Sequence, residues 1–249
     1  MSFVSAASCR LDEVCASSLE VHLLGLVDYD AALRLQERLV FDVSGRTDTQ
    51  GILLLCEHPP GVSVGREGSR THVLANPHDL EACEMEVRWI ARGGGAFVHA
   101  PGQLAIYPIL PLDRLSLGLE QYRERVEEAL LLTCRDLRVP AKQAVEAPGL
   151  WCRDGQLASL GVAVKSWTTY HGAYLNVAPD PSFLRMVESS PVGERLTSLQ
   201  TQLRRPVGMH KVREAVVRYL AAGLGYERMH VYTAHPLLKR TLQKVCLHA

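Results

Sequence analysis

The chain has no excess of either charge: 27 Lys+Arg face 27 Asp+Glu, a formal net charge of +0. That balance excludes a nucleic-acid binder working by bulk charge. No apolar run approaches the roughly 18 residues of a membrane-spanning helix. There is no Cys-x-x-Cys pair among the seven cysteines, Cys9, Cys15, Cys56, Cys83, Cys134, Cys152 and Cys246. An odd, unpaired set suits reduced thiols better than a disulfide framework or a zinc site. The start, from Met1 to Arg10, lacks a basic stretch ahead of a continuous apolar core, so a secretory signal is not expected. Internal repeats and low-complexity tracts are also missing. What is present is ordinary: 47% hydrophobic and 22% charged residues over 249 positions, enough for one large core or one core with a small cap. The expectation is a cytoplasmic globular protein without a metal or cofactor.

Periodicity alternates between α and β. Residues 1–19 are small and polar and are expected to form a loose arm; 20–226 form the folded domain; 227–249 are a basic, solvated tail carrying Arg228, Lys239, Arg240 and Lys244. Val21 to Leu26 reads as a strand. Asp30 is placed to cap a helix on which Ala32, Leu35 and Leu39 recur at helical spacing. Gly51 to Cys56 is a buried strand ended by His58-Pro59-Pro60, and residues 61–80 read as loop. Val87 to Ile90 and Leu104 to Leu110 are strands. Tyr122, Val126, Ala129, Leu130, Thr133 and Leu137 stripe one helix, stopped by Pro140. Trp151-Cys152, Ala158 to Val164 and Ala173 to Val177 are strands, with Asp154-Gly155 as a hairpin turn, and Val212 to Leu220 is a last amphipathic helix. The class is α/β or α+β.

One string carries the most chemistry: Arg92-Gly93-Gly94-Gly95-Ala96-Phe97-Val98-His99, followed by Ala100-Pro101-Gly102-Gln103-Leu104. Consecutive glycines expose backbone N–H groups and permit close approach by a ligand, although the same residues also make a tight turn. Further on stand Gln156-Leu157-Ala158-Ser159-Leu160-Gly161 and His171-Gly172-Ala173-Tyr174.

Together with Glu57-His58-Pro59-Pro60 and Leu196-Thr197-Ser198-Leu199, these strings resemble the octanoyltransferase family of lipoate biosynthesis, from about Leu23 to about Leu220. The resemblance implies a mixed sheet flanked by helices, of the biotin and lipoate protein ligase type. It implies transfer of an octanoyl group from acyl carrier protein to a lysine of a lipoyl-domain protein, by a monomer. On this resemblance Arg92, Gly93, Gly94, Gly95, Ala96, Phe97, Val98 and His99, with Ser159, Leu160, Gly161, Gly172, Ala173 and Tyr174, wall one acyl pocket. The Gly93-Gly94-Gly95-Ala96 portion also looks like the lipoate–protein ligases, which keeps a ligase or amidotransferase open.

The family's chemistry uses a cysteine that becomes a thioester and a lysine that lowers its pKa. Motif spacing puts the cysteine position at Ser189, with Ser190 beside it, and the lysine position at Gln156. A hydroxyl ionises far less readily than a thiol, and an amide neither carries charge nor moves a proton at neutral pH. Losing one activating group costs about 100-fold to 10,000-fold in rate. Beside the ligase or amidotransferase, two functions therefore stay open: a transferase working through Ser189 or a substitute nucleophile, and a non-catalytic protein that binds an acyl or lipoyl-bearing partner. Cys152, Lys165, His99 and His171 are candidates to replace the missing groups. Phe97, Val98, Ala100 and Tyr174 are bulkier than the pocket strings call for.

Overall fold

Strands β2 (Gly51–Glu57) and β6 (Gln103–Ile109) are buried along almost their whole length, which is why Ile52 to Cys56 and Leu104 to Ile109 are apolar without alternation. They lie at the centre of a large sheet in the computed structural model, which describes residues 17–144, 147–188 and 195–238. The other strands of that sheet are β1 (Ser18–Leu26), β7 (Lys142–Gln143), β8 (Gly149–Cys152), β9 (Gly155–Lys165), β10 (Thr168–Asn176) and β11 (Arg228–Tyr232). The order is β11-β1-β2-β6-β10-β9-β8-β7, parallel across β11, β1 and β2 and antiparallel from β2 onward. A smaller sheet of β4 (Val87–Trp89), β3 (Gly61–Val64) and β5 (Ala96–His99) stands beside it in the order β4-β3-β5.

Helices cover both faces of the large sheet. Helix α1 (Tyr29–Ser44) presents Ala32, Leu35, Leu39, Val40 and Val43 to one face, against Ile52, Leu54 and Tyr107. Helices α3 (Leu119–Asp136) and α6 (Met209–Gly223) cover the other through Tyr122, Val126, Leu130, Val212, Val216 and Leu220. Among the described residues there are also three short helices, α2 (Pro77–Ala82), α4 (Pro181–Leu184) and α5 (Leu199–Leu203). Among the described residues no helix is long and apolar enough to cross a membrane.

The structure departs from the sequence expectations in local chemistry. The N-cap of α1 is Asp28, whose carboxylate accepts from Ala31 N–H at 2.9 Å; Asp30 instead lies in the first turn and pairs with Arg88 at 2.9 Å. Residues 61–80 contain β3, a 3₁₀ turn at Arg70–His72 and α2, because Asn76 caps a helix started by Pro77. The β8–β9 turn is Arg153-Asp154, with Gly155 already paired to Cys152 at φ +136°. At one edge the sheet takes in Ser18 and Leu19, expected in a loose arm, and Arg228–Tyr232, expected in a solvated tail, since β11 pairs along the outer edge of β1 with Ser18 opposite Arg228.

The β9–β10 hairpin stores strain. Its two turn residues, Ser166 and Trp167, have φ of +50° and +57° where Asn-Gly is favoured, and Trp167 is 63% exposed. Left-handed backbone costs about 1–2 kcal/mol per non-glycine residue, and glycine returns roughly 0.5–1 of that as entropy. Trp167→Gly is therefore expected to stabilise the protein by about 0.5–1 kcal/mol in urea unfolding; a loss of stability would show that the indole contributes packing that outweighs the strain.

Candidate functional site

Strand alternation divides the nominated residues between faces. Along β5, Ala96 and Val98 pack into the core of the small sheet with Val62, Val64 and Leu184, while Phe97 and His99 point the opposite way. Along β9 and β10, Leu160 and Ala173 sink into the core under α3 and α6. Ser159, Gly161, Gly172 and Tyr174 lie on the other side, with Ser159 opposite Tyr174 and Gly161 opposite Gly172. The strings do come together: Gly93 N–H donates to Val162 O at 2.9 Å, and the Phe97 and Tyr174 rings meet at 5.6 Å in a T-shaped contact.

The backbone of the glycine run is already engaged. Gly94 N–H donates to Glu67 Oε1 at 3.1 Å, the Gly95 carbonyl accepts from Gly65 N–H at 3.0 Å, and the Arg92 carbonyl accepts from Arg66 N–H at 2.9 Å. Arg92 itself is 0% exposed. Its Nη1 donates to the carbonyls of Gly93 (2.8 Å) and Gly95 (3.1 Å), and its Nη2 to Ser63 O and Oγ, both at 2.8 Å. The guanidinium lies over Phe97, 3.6 Å from the ring centroid, and burial pushes its pKa down.

From Arg92 a buried polar chain crosses the molecule. Ser63 Oγ bonds His99 Nε2 at 2.7 Å; His99 Nδ1 bonds Gln103 Oε1 at 3.2 Å; Gln103 Nε2 donates to Asn176 Oδ1 at 2.9 Å; and Asn176 Nδ2 donates to Thr197 O at 3.0 Å. Because Gln103 Oε1 only accepts, His99 carries its proton on Nδ1 and accepts at Nε2. A second branch holds His58 between Val27 O and the Tyr107 hydroxyl, each at 2.7 Å. Tyr174 OH lies 3.4 Å from Tyr107 OH and 3.5 Å from Tyr29 OH. Sequence reasoning did not assign Tyr29, Ser63, Glu67, Tyr107 or Asn176 to the site. Tyr107 read only as part of a strand and Tyr29 was given no element, and only contact across elements reveals them; His58, inside a quoted motif, was the available signal.

Gln156 is 2% exposed at the start of β9. Its N–H donates to Arg195 O at 2.8 Å and its carbonyl accepts from Thr197 N–H at 2.9 Å, so the polar chain from Arg92 ends beside it. Its amide nitrogen lies against Gly149, where a Cβ would come within 3.1 Å, and Gly149 N–H donates to Glu127 Oε1 at 2.7 Å. A groove of about 570 Å³ opens alongside, bordered by Asp154, Arg185, Val187, Arg195 and Thr197. Ser189 and Ser190 lie outside the described residues. Cys152 is part of the core, its thiol pushed up to about 11 first by burial and then by Asp154. Lys165 sits at the far end of β9, nine residues on, about 30 Å away along an extended strand. His171 donates its N–H to Gln36 Oε1 at 2.7 Å from a φ of +56°, and its buried Nδ1 has no partner among the described residues. Among those residues no cluster of His, Cys, Asp or Glu could hold a metal ion.

Burial holds three imidazoles neutral: His58 at about 4, His171 at about 3, and His99 well below the ordinary 6.5, with Arg92 adding repulsion at the last two. Unfolded, all three take up protons as pH falls through about 6.5, so below that value the unfolded state binds more protons than the folded one. Stability is accordingly expected to be full above pH 6.5 and to fall from there toward pH 4, each histidine contributing roughly 1.4 kcal/mol per pH unit. Thermal unfolding followed between pH 7 and 5 checks this; a flat profile would contradict neutral burial.

The model of the lipoyl protein ligase A/B catalytic domain matches residues 28–221. An octanoyltransferase of Geotalea uraniireducens is 38% identical over 194 residues, spanning 78% of this chain and 87% of the relative. One from Cytophaga hutchinsonii is 30% identical over 224 residues, spanning 82% and 92%. In fold, the chain is similar to lipoate-protein ligase A bound with ATP, at a TM-score of 0.72 and 16% identity over 88% of this chain and 90% of that one. The bi-partite lipoate protein ligase of Thermoplasma acidophilum gives 0.67 and 17% over 87% and 88%. A mixed sheet covered by helices on both faces, joined to a glycine-rich loop and matched over this much of its length, places the chain in the octanoyltransferase family.

Proposed function

We propose that the chain acts in protein lipoylation as a member of its family that engages an acyl-carrier or lipoyl-domain protein without thioester chemistry. The observation that carries this is Gln156, buried at the position to which the family resemblance assigns the activating lysine. An amide holds no charge to favour a thiolate and no proton to deliver. Nothing described nearby restores the lost pair. Burial raises the thiols of Cys56, Cys134 (to about 12) and Cys152 (to about 11), so they stay protonated at neutral pH. His58 and His99 have both ring nitrogens occupied, and Lys165 stands at the opposite end of its strand. The groove beside Gln156, with Asp154, Arg185 and Arg195 at its rim, is where a partner's modified or acceptor side chain would enter.

Octanoyl transfer through Ser189 is the competing function, favoured by likeness to curated octanoyltransferases over about four fifths of the chain. Incubation with octanoyl-loaded acyl carrier protein and an apo lipoyl domain, read by intact mass, separates the two. The expected result is no octanoyl adduct on the chain and no transfer, with saturable binding of a carrier or lipoyl domain in calorimetry. An adduct on the chain, or a modified lipoyl lysine, would establish transfer instead, and failure to bind either protein would remove the partner role.

A further inference from the structure

The glycines that read as an open cradle are covered by the chain's own side chains. A Cβ built on Gly94 would lie 2.8 Å from Phe97 Cζ and 3.5 Å from Arg92 Nη1. One built on Gly161 would lie 3.0 Å from both Phe97 Cε2 and Arg92 Cδ, and 2.6 Å from Gly93 O. Phe97 is therefore seated between two positions that lack side chains, with Arg92 stacked 3.6 Å over its ring. Tyr174 closes the adjoining side at 1% exposure, its ring 5.6 Å from Phe97, 4.7 Å from His99 and 5.8 Å from Tyr107. The close approach that glycine allows is here used by Phe97 and Arg92 themselves.

We propose that Phe97 and Tyr174 are the specificity determinants of this site: their rings occupy the slot between the glycine run and β9–β10 and shut out a straight eight-carbon acyl chain. This deepens the function proposed above, since it rests on the family's acyl site lying at these residues. Phe97 cannot swing aside cheaply. It would leave the Arg92 face and the two glycine surfaces, and the buried guanidinium, fixed by four hydrogen bonds, cannot follow it. Tyr174 is held by the packing of Phe97, His99 and Tyr107 and by its hydroxyl neighbours Tyr29 and Tyr107. An entering alkyl tail would only replace apolar contacts that the two rings already make.

Binding of free octanoate, measured by calorimetry and by thermal shift, tests the proposal on the purified chain. The wild type is expected to show no saturable binding. Phe97→Ala combined with Tyr174→Ala is expected to gain it, at least about tenfold tighter than any residual wild-type affinity. Tyr174→Phe, which keeps the ring, should gain nothing. Should the paired alanine variant fail to fold, Phe97→Leu opens part of the slot with less cavity and should bind octanoate more weakly but measurably. Stoichiometric octanoate binding by the wild type would overturn the proposal, as would folded Phe97 variants that bind no better. Because turnover is not read, such a failure leaves the argument from Gln156 standing, and transfer activity would leave the slot question to this measurement.

Discussion

A buried guanidinium organises this molecule. Arg92 gives two donors to carbonyls of its own glycine run and two to Ser63 on the neighbouring strand, and it lays its flat face on Phe97. An arginine with no exposure is tolerable only when most of its donors are met, because an unmet buried charge costs far more than the contact returns; here Nη1 and Nη2 are met twice each, and Nε has no partner among the described residues. The carbonyls it gathers are those of a run that has no side chains to fix it. The cation substitutes for the packing the glycines cannot supply, and so joins β5 to β3.

The polar chain that leaves Arg92 has the same logic. Ser63, His99, Gln103, Asn176 and Thr197 each occupy the next group's donor or acceptor, which lets them lie buried between the small sheet and the centre of the large one. Such a chain keeps His99 neutral and oriented, and it ends at the backbone of Gln156. Histidines positioned this way are walls and spacers, with no lone pair or proton left for chemistry. The interior between Arg92 and Thr197 is closely packed and bonded, while the buried Arg92 Nε and His171 Nδ1 have no partner among the described residues.

Much of the frame could be read from residues alone. The apolar runs Ile52 to Cys56 and Leu104 to Ile109 announced central strands, and the stripe from Tyr122 to Leu137 announced a helix, because burial imposes a period that composition records. Motif spacing also singled out Gln156 and Ser189 as the positions on which the proposed function turns. Hidden from that view were the short elements within 61–80, whose formation depends on Asn76 and on pairing with β5, and β11, an exposed strand that exists only because the edge of β1 is open to it.

Sequence by itself determined which chemical groups the site can contain: glycines without side chains, the uncharged amide of Gln156, and rings at Phe97 and Tyr174. Those are covalent facts and no fold can alter them. Tertiary structure decided where they point. Strand alternation sent Ala96, Val98, Leu160 and Ala173 into separate cores and turned Phe97 and Tyr174 toward each other. Whether a glycine surface faces a ligand or a neighbouring side chain depends on contacts between residues far apart in the chain, and at Gly94 and Gly161 the nearest occupants are Phe97 and Arg92.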